Sequence, residues 1–110
     1  MPNLKEDFKE GTMLTVYNFD RQWNPDIMEV YLPKGAKILN IFSTNSSEDH
    51  TIMLIIRALV DPNLMLHTKE TELHLIQVVK TGHLIYSGKV RYINSFSLPG
   101  ETWVFHAFEL

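Results

Sequence analysis

Residues 51–60 read TIMLIIRALV, and the fold depends on what this stretch forms. Apolar side chains fall on odd and even positions alike, so a strand covered on both faces and a buried helix both fit the run. The density of β-branched residues selects the strand, and coverage on both faces makes it a central one. A polar segment precedes it (44–50, TNSSEDH) and Asp61-Pro62-Asn63 ends it.

Outward from this stretch, short apolar runs alternate with turn chemistry, the pattern of an all-β sandwich or barrel. Upstream, residues 12–19 (TMLTVYNF) are rich in β-branched and aromatic residues, and 20–26 (DRQWNPD) read as a loop. In 27–32 (IMEVYL), Met28, Val30 and Leu32 share one face and Glu29 and Tyr31 the other. Pro33-Lys34-Gly35 is a turn, with a fixed φ from proline and a positive φ expected at glycine, before a strand over 36–43 (AKILNIFS). Downstream, 64–70 carry no clear pattern. Residues 71–80 (TELHLIQVVK) set Leu73, Leu75 and Val79 against Glu72, His74, Ile76 and Val78. Thr81-Gly82-His83 is a turn and 90–98 (VRYINSFSL) a strand. Leu98-Pro99-Gly100-Glu101 signals a hairpin, and 102–110 (TWVFHAFEL) is again apolar on both faces. The expectation is one all-β domain of about seven mainly antiparallel strands over 12–110, sandwich or barrel-like, behind a short polar tail over 1–11. Two strands apolar on both faces, in so small a domain, predict a homo-oligomer, most simply a two-fold dimer.

Composition narrows the function classes. The chain has 110 residues, 45% of them hydrophobic, with net charge −3 and no cysteine. That excludes a disulfide framework, a thiolate zinc site and a cysteine nucleophile. The absence of a basic excess argues against duplex nucleic acid as a partner. The first eleven residues contain no apolar core of a signal peptide, and 51–66 are too short and too polar for a membrane span. A cytoplasmic protein is expected. Asn45-Ser46-Ser47 matches the glycosylation acceptor pattern and, without an export signal, reads as chance.

The five histidines (His50, His67, His74, His83, His106) show no metal-ligand spacing, and no metal or other cofactor is expected. The plain reading places His50 and His67 in solvent and pairs His74 and His106 with strand neighbours. His106 lies mid-strand among apolar residues, where an imidazole needs a partner. Asp61 is one carboxylate able to supply it, and a His–Asp pair orients an imidazole for acid–base work or serves as a structural bond. No serine sits in a nucleophile elbow. Glu48, Asp49 and Glu109 are read as solvated acids, and no phosphate-binding loop occurs. Arg57, mid-strand, is expected to pair with an acid or to line a pocket, pairing being the commoner outcome. Basic–aromatic interleaving of the RNA-binding kind is absent, and Trp103 reads as core or interface. The candidate ligand-binding residues are Arg57, Asp61, His83, Tyr86, Arg91, Trp103 and His106.

Four segments in order, LPKGAKIL (32–39), ALVDP (58–62), TGH (81–83) and VFHAFE (104–109), resemble a family of small uncharacterised bacteriophage- and prophage-encoded proteins. The resemblance spans 27–109. This chain departs from it in a longer 44–51 segment and in an extra strand before Ile27. The resemblance implies a bacterial host cytoplasm and an accessory role, and carries no activity with it.

Three functions follow as expectations. The first is a non-catalytic phage accessory protein serving host takeover or counter-defence, by inhibiting a host protein or sequestering a small nucleotide. The second is a minor virion or assembly protein, which exposed β-edges suit. The third is a small hydrolase-like enzyme using His83, His106 and Asp61, which requires those groups within hydrogen-bond reach. The lack of a catalytic motif ranks binding above catalysis.

Overall fold

The computed structural model describes residues 11–43, 52–85, 88–98 and 102–110. Apart from Gly11, the expected tail lies outside them, as do the 44–50 segment, Tyr86 and the centre of the Pro99-Gly100 turn. The described elements are β1 (Thr15–Gln22), β2 (Met28–Pro33), β3 (Lys37–Ser43), β4 (Met53–Val60), α1 (Pro62–His67), β5 (Thr71–Lys80), β6 (Arg91–Ser97) and β7 (Val104–Glu109). Among the described residues the strands form two antiparallel sheets, β1-β4-β3 and β2-β5-β7-β6, and no closed barrel.

The run that decided the fold is the central strand β4. Its even positions, Leu54, Ile56, Ala58 and Val60, are buried against the second sheet, while Met53, Ile55, Arg57 and Leu59 point outward and are half-buried. Met28, Val30 and Leu32 on β2, Ile76 and Val78 on β5, and Phe105 and Ala107 on β7 answer from the facing sheet. Burying a side chain of this size stabilises by about 1.5–3 kcal/mol, so this inter-sheet layer holds the domain together. Phe105 anchors it, stacked on Phe96 at 5.4 Å and met edge-on by Trp23, also at 5.4 Å.

One flank of the sandwich is closed by a side chain. The Ile41 N–H on β3 donates to Asn94 Oδ1 at 2.8 Å, and Asn94 Nδ2 donates to the Ile41 carbonyl at 2.7 Å. The Asn94 amide thus acts as a single peptide unit, joining the outer edge of one sheet to that of the other. A register shift between Tyr92 and Asn94 makes this possible. The bulge resets the alternation of β6, so Arg91 and Asn94 both face inward although they differ in parity.

Three readings of the sequence need correction. β1 does not stop at Phe19, because β4 keeps pairing with it as far as Gln22 opposite Met53. Trp23 is not a loose loop residue. Its N–H reaches the Ile52 carbonyl at 2.8 Å, and its indole Nε1 donates to the Val78 carbonyl at 2.9 Å. Asp61-Pro62-Asn63 does not only end a strand. The Asp61 carboxylate accepts from the N–H groups of Asn63 (2.9 Å) and Leu64 (3.4 Å), and Pro62 opens helix α1. The two expected turns hold, with Gly35 at φ 81° and Gly82 at φ 90°.

Candidate functional site

Histidines on β5 and β7 organise two polar arrays, one on each face of the second sheet. His74, Glu109 and Arg91 face inward. Glu109 Oε2 lies 2.6 Å from His74 Nδ1, and Arg91 Nη2 donates to Glu109 Oε1 at 2.5 Å. Burial pushes the Glu109 carboxyl upward in pKa, but the hydrogen bonds and positive charges of His74 and Arg91 outweigh it, leaving the group below its ordinary value. This array ties β5, β7 and β6 together.

His106 faces outward. Its Nδ1 lies 2.7 Å from Ser95 Oγ and its Nε2 lies 2.6 Å from Thr81 Oγ1. Tyr92 extends the chain, with its hydroxyl 2.7 Å from Ser95 Oγ. A neutral imidazole has one donor and one acceptor nitrogen. Thr81 Oγ1 has an outlet for its own proton at the Val104 carbonyl, 3.4 Å away. The assignment that satisfies every group runs Tyr92 to Ser95 to Nδ1, with Nε2–H donating to Thr81. Among the described residues no carboxylate joins this chain, and both imidazole nitrogens meet hydroxyls.

At the end of the same sheet, the turn after β5 and the entry to β7 frame two adjoining cavities. One, about 480 Å³, is lined by Lys80, Thr81, His83, Thr102, Trp103 and Val104. The second, about 200 Å³, shares Lys80, Thr81 and His83 and adds Val79, Ile85, His106 and Phe108. The Lys80 ammonium stands 3.7 Å from the centre of the Trp103 ring, with Trp23 and Phe105 at 5.8 and 5.9 Å. Trp103 is 53% exposed, so it is not core, and the Lys80 ammonium lies over one face of its ring. A half-exposed indole, an ammonium and two imidazoles suit a planar ring that carries negative charge.

The structure therefore gathers three of the sequence-derived candidates, His83, Trp103 and His106. It separates Arg57, Asp61 and Arg91 from them, and Tyr86 lies outside the described residues. Arg57 points away from the core on the first sheet, over the Phe42 ring at 4.9 Å and 3.5 Å from Asn18 Oδ1; among the described residues its partner is not an acid. Asp61 caps α1, and Arg91 belongs to the inner array. The constellation of His83, His106 and Asp61 is not assembled, because both His106 nitrogens are held by hydroxyls and the Asp61 carboxylate by the helix. Among the described residues, no cluster of three or more histidine, aspartate or glutamate side chains is placed to hold a metal ion.

The family model that matches this chain is described as a domain of unknown function, and the match covers residues 13–110. The chain belongs to the DUF7352 family. The matched span takes in all the described strands, so both histidine arrays lie within the DUF7352 domain. No curated protein and no solved structure matches the chain. Among the described residues, no helix is long and apolar enough to cross a membrane.

Sequence reasoning missed Lys80, Thr81 and Ser95 as partners. The signal for Lys80 and Thr81 was present, since they adjoin the turn that holds His83. Ser95 had none, because its place opposite His106 depends on the β6 bulge.

Proposed function

We propose that this domain is a non-catalytic binding module that takes a small anionic ligand with a planar ring, of the nucleotide class, at the end of the second sheet. The observation that carries the reading is the Lys80 ammonium stacked on the half-exposed Trp103 ring beside a cavity of about 480 Å³, with His83 on its wall. A ring stacking on the face of the indole opposite Lys80 leaves its phosphate within the field of that ammonium, so recognition and charge pairing come from adjacent groups. The resemblance to phage- and prophage-encoded proteins supports an accessory role in a bacterial host cytoplasm, as a sequestering protein in host takeover or counter-defence.

A thermal-shift panel of linear and cyclic nucleotides tests this. At least one class should raise the melting temperature, and Trp103→Ala and Lys80→Ala should each abolish the shift. A panel without any shift, at ligand concentrations up to millimolar, rejects the small-ligand reading. Inhibition of a host protein then becomes the surviving form of the binding proposal.

A further inference from the structure

The two histidine arrays differ in what balances a positive charge. His74 has the Glu109 carboxylate. His106 has hydroxyls, Ser95 Oγ at Nδ1 and Thr81 Oγ1 at Nε2. A hydroxyl accepts as well as donates, so this array can hold a proton on both ring nitrogens. Nδ1–H then donates to Ser95, and the Ser95 proton turns to the Tyr92 oxygen, 2.7 Å away. Each bond is kept and only its direction reverses. The imidazolium so formed meets Lys80 and His83 from the end of β5 and its turn, and Tyr92 from β6. No aspartate or glutamate is among the described residues lining either cavity at this end of the sheet. A further cavity, lined by Lys89, Arg91 and Glu109, contrasts with them, because its guanidinium is already paired with a carboxylate. A counter-charge for His106 comes from solution.

We propose that the smaller cavity, about 200 Å³, is an anion subsite for a phosphate monoester, with His83 and His106 as its cationic groups. The proposal rests on the reading of the lysine–indole cavity as a ring site and deepens it. The two cavities share Lys80, Thr81 and His83, so an anion in one lies beside a ring in the other. Pockets that take whole small molecules start at roughly 300 Å³, so the smaller cavity suits a charged group and not the ring. The turn amides do not compete for that role. Thr81 N–H donates to the Val104 carbonyl at 3.0 Å, and His83 N–H to that of Lys80, also at 3.0 Å. Recognition falls to imidazoles, whose charge changes between about pH 5 and 8. A phosphate monoester carries about 1.5–2 negative charges and three acceptor oxygens, whereas a cyclic diester carries a single charge. Two imidazoles beside an ammonium therefore select a linear nucleoside monophosphate over its cyclic form.

Imidazole titrations followed by NMR on the intact chain test the subsite, in chloride and in sulfate at equal ionic strength. Sulfate is the probe because it is a dianion that does not itself titrate in this range. An anion held by an imidazolium stabilises the charged form, so sulfate should raise the titration midpoints of His83 and His106 by about 0.5–1 pH unit. His67 on α1 and His74, paired with Glu109, should not move. No shift at His83 and His106, or an equal shift at His67, overturns the proposal. Calorimetric titration at about pH 6.5 then compares a nucleoside 5′-monophosphate with its 3′,5′-cyclic form. The linear form should bind at least about tenfold tighter. The double variant His83→Gln, His106→Gln should lose that preference and keep the ring contact, read by quenching of tryptophan fluorescence. Equal affinities in the wild type also overturn the proposal. Failure of the ring site looks different: sulfate then moves both imidazoles while no nucleotide binds, which supports the anion subsite alone.

Discussion

His74 and His106 sit on neighbouring strands of one sheet and face opposite ways. Their partners differ as much as their surroundings. His74 faces the interior and meets a carboxylate that Arg91 also holds. His106 faces outward and meets two hydroxyls, with a tyrosine behind one of them. A charge taken partly out of water needs a counter-charge, and the inner array supplies it across three strands. A neutral chain of hydroxyls needs only matched donors and acceptors, which water can replace or which a covering surface can leave intact. The inner histidine therefore belongs to the architecture, and the outer one to a surface that is either wet or an interface.

The sharpest way to break that comparison is at Glu109. Glu109→Ala removes the acceptor shared by His74 and Arg91 and leaves both facing a half-buried gap. Urea denaturation should show a loss of about 2–3 kcal/mol, below the cost of a fully buried pair because Arg91 is partly solvated. A loss under about 0.5 kcal/mol would reduce the inner array to a surface salt bridge.

The same carboxylate makes the comparison pH-dependent. Its folded pKa is depressed, so around that range the unfolded chain binds more protons than the folded one, and stability rises with pH. The contribution is fully present above the unfolded carboxyl pKa and is lost as pH falls through the lower folded value. The neutral isostere in Glu109→Gln cannot titrate. The stability gap between wild type and Glu109→Gln should therefore shrink through this acid window, and a gap independent of pH would refute the ionic reading of the array.

The sequence made the strands legible and the arrays illegible, for a physical reason. Alternation in Met28, Val30 and Leu32, and the two-sided run of β4, are local properties, and they placed the core correctly. His74 and Glu109 are 35 residues apart, and Arg91 and Glu109 are 18 apart. Their meeting depends on the β5–β7 and β6–β7 registers, and the bulge at Ile93 resets the second of these. His83, Trp103 and His106 converge because the end of β5 and the start of β7 are adjacent, a consequence of strand order that no motif encodes. Helix α1 was legible and was missed, because Asp61-Pro62 opens a helix by the same chemistry with which it closes a strand.

On the outward face the expected effects are smaller. His106→Ala should cost less than about 1 kcal/mol in dilute protein, since Thr81 and Ser95 can bond to water once the imidazole is gone. A cost matching that of Glu109→Ala would mean that the two faces are not different in kind.

Ser95→Ala should have the smallest effect and discriminates most finely. It removes one hydroxyl and leaves the Tyr92 O–H and His106 Nδ1 without their partner. On a wet face water takes both places, and the cost should stay near 0.5 kcal/mol or below. Under a second copy of the chain water would be excluded, and each stranded group would cost about 1–3 kcal/mol. With the outer histidine on a wet face, the substitution should be nearly silent at all protein concentrations. Denaturation of wild type and Ser95→Ala over a range of protein concentrations measures this. A small, concentration-independent difference would keep the outer histidine at the water surface, and a difference that grows with concentration would place it inside an interface.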